Sequence, residues 1–442
     1  MKKSFILPEI ILLAVFAAVI PIWCETAFAV VLKVLFTIAL CIVFAVILFR
    51  KGSKDAANKK LRRIRRGADM ILIGGIAAVV EIIAVIVWIV KSDAALAAKI
   101  AAPVVSVVVI GLTVFMGVLK ISLNARQVKI SDYILMLMFW WVPVVNIFLI
   151  RKFYQTARRE YIIESDRIEL DNARAENEIC RTKYPIVLVH GIFFRDWQLV
   201  NYWGRIPAIL IKNGATIFYG KQQSSLAVAK SAEELKQTIL KVLEETGAEK
   251  VNIIAHSKGG LDSRYAISCL GMDKYVATLT TINTPHEGCD MVDYLLEKLP
   301  DGLKKFIEKR YNAIFSKLGD TAPDFMAGVI DLSAKTRKRD NPLMADSPNV
   351  VYRSYMSTMS SAGSAGFPLN IGYMLIKKLN GDNDGLVWIE SAKHGEFTNF
   401  TTKQKRGISH GDVIDLMREN IDGFDVREVY VDIVSNLKKN GF

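Results

Sequence analysis

The sequence predicts an α/β fold: a doubly wound, mostly parallel sheet, with an N-terminal bundle of transmembrane helices before it. Three observations lead there. Residues 1–150 are mostly Ala, Val, Ile, Leu and Phe, in runs near the roughly 20 residues a helix needs to cross a bilayer. In residues 184–442, short continuous apolar runs alternate with helix-like stretches, as expected when strands are buried between helices. Residues 251–261, Val-Asn-Ile-Ile-Ala-His-Ser-Lys-Gly-Gly-Leu, read as strand, sharp turn and helix, with Ser257 at the turn.

Composition fits this division. The chain has 442 residues, 52% of them hydrophobic, and a formal net charge of +13. The basic residues flank the apolar runs, where they mark membrane topology and contact with anionic headgroups. No nucleic-acid-binding module is recognisable, so no nucleic-acid partner is expected. Five cysteines without CxxC spacing suggest neither zinc nor a disulfide framework.

Five apolar runs are expected to form four or five membrane helices: residues 5–23, 28–49, 70–90, 100–119 and 133–150. A cleavable signal peptide fits poorly, because the first run is long and another follows at once. The loop over 50–66 carries Arg50, Lys51, Lys54, Lys59, Lys60, Arg62, Arg63, Arg65 and Arg66, which places it in the cytoplasm. The 91–99 loop is then outside, and the loop with Lys120, Arg126 and Lys129 inside. The run at 133–150, broken by Pro143, decides the side of everything after it. Its length favours a fifth span and an extracytoplasmic domain; the alternative is that Pro143 makes the run re-entrant or interfacial and the domain cytoplasmic, the side that Arg151, Lys152, Arg158 and Arg159 behind it favour. Glu81, inside the third run, is expected to be protonated or hydrogen-bonded within the bundle. Residues 151–183 mix charge signs and read as a polar helical linker.

In 184–442, Ile186 to Val189 is a continuous apolar run closed by His190-Gly191. Residues 216–219 form a short β-type run. Ser231 and Glu234 stand in capping-box spacing at the start of a helix. The run 251–255 leads into the turn at Ser257, where small residues on either side, Ala255 and Gly259, let strand and helix approach. The strand at 276–282 ends in Asn-Thr-Pro-His-Glu-Gly. Residues 290–340 interrupt the alternation with helix-like stretches, as either a lid over the site or plain packing helices. Sites in such sheets form at the carboxyl ends of the strands, which is where His190-Gly191 and Ser257 fall.

Further on, Gly381-Asp382-Asn383-Asp384-Gly385 offers two acids, and His410 follows 26 residues after Asp384. Nucleophile, acid, histidine is the order of α/β-hydrolases. It assigns Ser257, Asp384 and His410 to catalysis, with backbone N–H groups of Ile192 and Lys258 as oxyanion donors. His256 should point away from Ser257, His190 should hold the loop, and His286 and His394 are weaker rivals to His410.

With these motifs in hand, residues 184–442 resemble a bacterial triacylglycerol lipase of the α/β-hydrolase superfamily. The resemblance rests on Pro-Ile-Val-Leu-Val-His-Gly at 185–191, Ala-His-Ser-Lys-Gly-Gly at 255–260, Thr-Pro-His-Glu-Gly at 284–288, Asn-Asp-Gly-Leu-Val at 383–387 and His-Gly-Asp at 410–412. It implies Asp384 rather than Asp382 as the acid. Some of these lipases hold a structural calcium, and Asp412 stands where one ligand would be. The expected partner acid is missing, however, since residues 356–381 contain no Asp or Glu. No cofactor is expected. No cysteine follows Cys289, so the disulfide of secreted relatives has no counterpart, and the resemblance does not reach residues 1–150. The sequence thus points to a membrane-anchored serine ester hydrolase acting on acyl lipids, expected as an integral protein of a bacterial cell membrane. The alternatives are an acyltransferase with the same triad, or a transport or sensing protein with an inactive hydrolase-like domain.

Overall fold

The computed structural model describes residue 10 and residues 30–50, 56–93, 95–139, 141–192, 202–317, 320, 323–402 and 405–442. The chain forms two compact units, Met1–Asn172 and Ala173–Phe442.

In the first unit, α1 (Val30–Phe49), α2 (Lys59–Lys91) and α3 (Leu96–Ser122) each contain a stretch long and apolar enough to cross a membrane. The run at 5–23 lies outside the described residues. Asn58 caps α2 by accepting the Leu61 N–H at 2.8 Å. Where α2 and α3 cross, a Cβ on Gly67 would lie 2.7 Å from the Gly117 carbonyl oxygen, so glycine lets the two backbones meet. The expectation for Glu81 holds: Ser106 Oγ donates to its Oε1 at 2.6 Å.

The run at 133–150 is not one helix. It divides into α4 (Ile130–Met138) and the start of α5 (Pro143–Arg174). Proline has no N–H to give and clashes inside a helix, but is accommodated in a first turn. The two segments fold back on each other. Lys152 Nζ meets Asp132 Oδ1 at 2.6 Å, the Tyr133 and Phe153 rings pack edge-to-face at 5.1 Å, and Asn146 Nδ2 donates to the Phe139 carbonyl at 2.9 Å. A spanning helix would instead carry residues 133 and 150 about 26 Å apart at 1.5 Å per residue. Among the described residues, the run at 133–150 therefore holds no single helix of spanning length. Beyond the hairpin, α5 runs through most of the expected linker.

The second unit is built on six parallel strands in the order β2-β1-β3-β4-β5-β6: β1 (Ile186–Val189), β2 (Ile217–Tyr219), β3 (Val251–His256), β4 (Val276–Ile282), β5 (Val351–Ser357) and β6 (Glu396–Phe400). Side chains alternate across a strand. Ile186, Leu188 and Ile254 accordingly join α6 (Ile206–Lys212) and α14 (Val426–Lys439) in one core. Val187, Val189 and Ile253 join α7 (Val228–Thr246) and α8 (Lys258–Cys269) in another. Helices thus cover both faces, as the doubly wound reading requires.

The α7 start differs from expectation. It begins at Val228, which leaves Ser231 inside the helix, fully buried, and Glu234 accepting from the Gln223 N–H at 2.7 Å. The break in the alternation is real: α9 (Asp290–Lys298), α10 (Asp301–Lys317), α11 (Phe325–Ile330) and α12 (Ala334–Asp340) separate β4 from β5, and α13 (Leu369–Leu379) separates β5 from β6. Phe315, Phe325 and Leu332 of this insertion pack with Ile192 and Leu261, next to the carboxyl ends of β1 and β3.

Candidate active site

The turn after β3 holds Ser257 at φ 54° and ψ −130°, a conformation non-glycine residues rarely adopt. Neighbouring bonds hold it there. The Ser257 N–H donates to the Ile282 carbonyl at 3.0 Å, and its own carbonyl accepts from Thr284 Oγ1 at 2.8 Å. A Cβ on Gly259 would sit 2.5 Å from the His190 carbonyl oxygen, so this position must be glycine for α8 to start so close to β1. Ala255 is buried in the sheet core and meets the same demand for a small side chain.

Asp384 is fully buried and saturated with donors. Its Oδ1 accepts the Leu386 and Val387 N–H groups, both at 2.8 Å. Its Oδ2 faces His410 Nδ1 at 2.6 Å, and the His410 N–H donates to the Asp384 carbonyl at 2.9 Å. With Nδ1–H given to the carboxylate, Nε2 is left as the basic nitrogen. Asp382 is exposed and pairs with Lys377 at the surface. The geometry thus joins Asp384, not Asp382, to His410, not His394. Ser257 belongs to the same strand-end cluster: a Cβ on Gly191 would lie 2.8 Å from Ser257 Cβ, and the ring of His256 lies 4.5 Å from that of His410. Among the described residues, no hydrogen bond joins Ser257 to His410.

Both residues expected as oxyanion donors lie beside Ser257. Lys258 is the first residue of α8, so its N–H has no partner inside the helix. Its side chain is buried and turned away, with Nζ 2.7 Å from Asp262 Oδ1 and 2.9 Å from Ser231 Oγ. Burial pushes the Asp262 carboxyl up to about 6, against the pull of Lys258. Ile192 is buried against the insertion. The loop after it, at 193–194, lies outside the described residues.

The other histidines brace this site. His190 has one ring nitrogen 2.9 Å from the Gln222 carbonyl and the other 2.9 Å from that of Gly191. The Tyr202 hydroxyl accepts the Gly191 N–H at 2.9 Å and donates to His256 Nδ1 at 2.6 Å. Burial holds His256 well below the usual histidine range, in its neutral form. His286 and His394 stack at 4.5 Å in a separate cluster with Arg264, Thr281 and Asp346. Asp412 Oδ2 accepts from the N–H and hydroxyl of Ser409, and Arg406 lies 3.0 Å from Oδ1. Among the described residues, no group of three or more His, Cys, Asp or Glu side chains is gathered as a metal shell.

Two contributors escaped the sequence reading. Asn283 takes a left-handed φ of 50°, and its Nδ2 lies 2.6 Å from Asp384 Oδ2 and 2.7 Å from Ser357 Oγ. Its only sequence signal is an asparagine at a strand end, a type that tolerates this conformation. Tyr202 gives no signal beyond lying in an aromatic pair.

Residues 183–286 match the family model "Lipase (class 2)". Over that stretch the second unit is similar to class 2 lipases. The triacylglycerol lipase of Burkholderia plantarii is 35% identical over 154 residues, 33% of this chain and 42% of that protein. The triacylglycerol lipase of Pseudarthrobacter phenanthrenivorans is 36% identical over 145 residues, 31% of this chain and 45% of that protein. The chain therefore spans less than half the length of these relatives. Among solved structures, mature Bacillus licheniformis lipase BlEst2 aligns with a TM-score of 0.43 and 21% identity, covering 57% of this chain and 92% of that one. The family match contains Ser257 and both oxyanion candidates. Asp384 and His410 lie beyond it and rest on the geometry.

Proposed function

We propose that this chain is a membrane-anchored serine ester hydrolase that cleaves acyl-lipid esters through an acyl-enzyme. The observation that carries the reading is the buried Asp384–His410 pair beside the strained Ser257 turn, at the carboxyl edge of a parallel sheet. Ser257 Oγ attacks the ester carbonyl carbon while His410 Nε2 takes its proton. The Ile192 and Lys258 N–H groups stabilise the resulting oxyanion. The C–O bond to the alcohol breaks, and the alcohol leaves with the proton from His410. Water then attacks the acyl-enzyme, its proton passing through His410, and the carboxylic acid leaves as Ser257 is restored. Asp384 keeps the imidazole in its Nδ1–H form and supports its charge throughout. No step calls for a cofactor.

The lipid substrate class is supported by the names of the relatives and by the apolar first unit, which holds the enzyme beside its substrate. The test is ester hydrolysis by the full chain in detergent. Release of acid from p-nitrophenyl esters and from acylglycerols is expected, with Ser257→Ala and His410→Ala reducing kcat by at least about 10³-fold. Full activity in Ser257→Ala would overturn the nucleophile, and no release from any ester would overturn the activity.

A further inference from the structure

We infer that the segments 130–139 and 141–152 form a helical hairpin that dips into one leaflet of the bilayer from the side of the 50–66 loop, so that the catalytic unit lies on that cytoplasmic side. The hairpin is closed by antiparallel contacts at its base, Asp132 with Lys152 and Tyr133 with Phe153, and by Asn146 with Phe139 near its turn. Each arm is about 13–15 Å long at 1.5 Å per residue, half of a hydrocarbon core about 30 Å thick.

Its surface suits lipid. Leu137 is 76% exposed, Met138 60%, Trp141 67%, Ile147 65% and Phe148 66%, and among residues 133–150 none is charged. A turn at membrane depth must satisfy its own backbone. Here the Val142 N–H and Asn146 Nδ2 both donate to the Phe139 carbonyl. Lys129 stands before the hairpin and Arg151 and Lys152 stand behind it. Basic residues at both ends are what the positive-inside bias gives when both ends face the cytoplasm.

Packing within the first unit gives the side independently. Phe153 and Ala157 of α5 share a core with Leu61 and Ile64 at the basic end of α2 and with Ile121 at the end of α3. Arg65 donates to the Tyr161 hydroxyl at 3.1 Å, and Glu160 accepts the Arg126 and Gln127 N–H groups. Residues that follow the apolar run are thus held at the end where the run began. This reverses the extracytoplasmic expectation drawn from the run's length. Resting on the proposed hydrolase reading, it makes the acyl lipids of the cytoplasmic leaflet the substrate pool.

The test uses the full chain in cells, with its own cysteines replaced and single cysteines introduced at Ala95, Lys59, Leu137 and Lys439. A membrane-impermeant maleimide is added before or after permeabilisation. Ala95→Cys should react in intact cells, and Lys59→Cys and Lys439→Cys only after permeabilisation. A fluorophore on Leu137→Cys should be quenched by lipids brominated along their acyl chains. Labelling of Lys439→Cys in intact cells would overturn the sidedness, and a Leu137 fluorophore quenched by aqueous iodide but not by brominated lipid would overturn the insertion. Sidedness is read from labelling alone, so hydrolysis of a soluble ester by the same preparations separates failure of this inference from failure of the hydrolase reading.

Discussion

The Asn283 amide shares one carboxylate oxygen of Asp384 with His410. It also ties that oxygen to β5 through Ser357. It is a positioning residue, and glycine is its most informative replacement, because glycine accepts the φ of 50° without strain. Losing one hydrogen bond to a charged group costs about 1.5–3 kcal/mol. Asn283→Gly should therefore lower kcat about 10–100-fold and leave KM nearly unchanged. Unchanged kcat in steady-state kinetics would remove Asn283 from the site. At this scale the sequence was uneven. Ser257, Asp384 and His410, the proposed catalytic set, stood out as candidates because such chemistry demands particular residue types in a particular order. Asn283 and Tyr202 did not, because their roles depend on contacts between strand ends distant in sequence.

Among the elements, the join between α7 and α8 rests on a buried charge. Lys258 and Asp262, one turn apart on α8, are both buried, and Lys258 also reaches Ser231 on α7. Removing one member of a buried pair strands the other and costs about 3–5 kcal/mol. Asp262→Leu should destabilise the second unit by that amount in denaturant unfolding, whereas Lys258→Met with Asp262→Leu together should recover much of the loss. A single variant as stable as the parent would show that the pair carries no such weight. Ser231 was misplaced as a helix cap because spacing alone does not say where a helix starts: α7 begins three residues earlier, and its serine serves Lys258. The run at 133–150 shows the same kind of shortfall. Length and apolarity fit a span, but Pro143, with the Asp132–Lys152 pair across the turn, makes it a hairpin.

For the whole molecule, the sheet and its layers were legible because strands buried on both faces read as unbroken apolar runs. The insertion after β4 was visible only as a break in rhythm, since what its helices cover depends on packing against Ile192. One global property follows from the buried histidines. Burial holds His256 and His286 well below 6.5, so both are neutral in the fold, whereas the unfolded chain takes up protons near 6.5. The unfolded state then binds more protons below that pH, and stability is full above 6.5 and falls as the pH drops. Denaturant midpoints should decline from pH 7.5 to pH 5, and His286→Gln should flatten the decline. A flat profile in the parent chain would contradict the buried neutral histidines.

The central claim is that Ser257 is the nucleophile activated by His410 and Asp384. It is tested most directly by reacting the full chain with a fluorophosphonate probe and mapping the adduct by peptide mass spectrometry. The expected adduct lies on Ser257, forms slowly or not at all in His410→Ala, and is absent in Ser257→Ala. An adduct on another residue, or labelling that persists in Ser257→Ala, would contradict it.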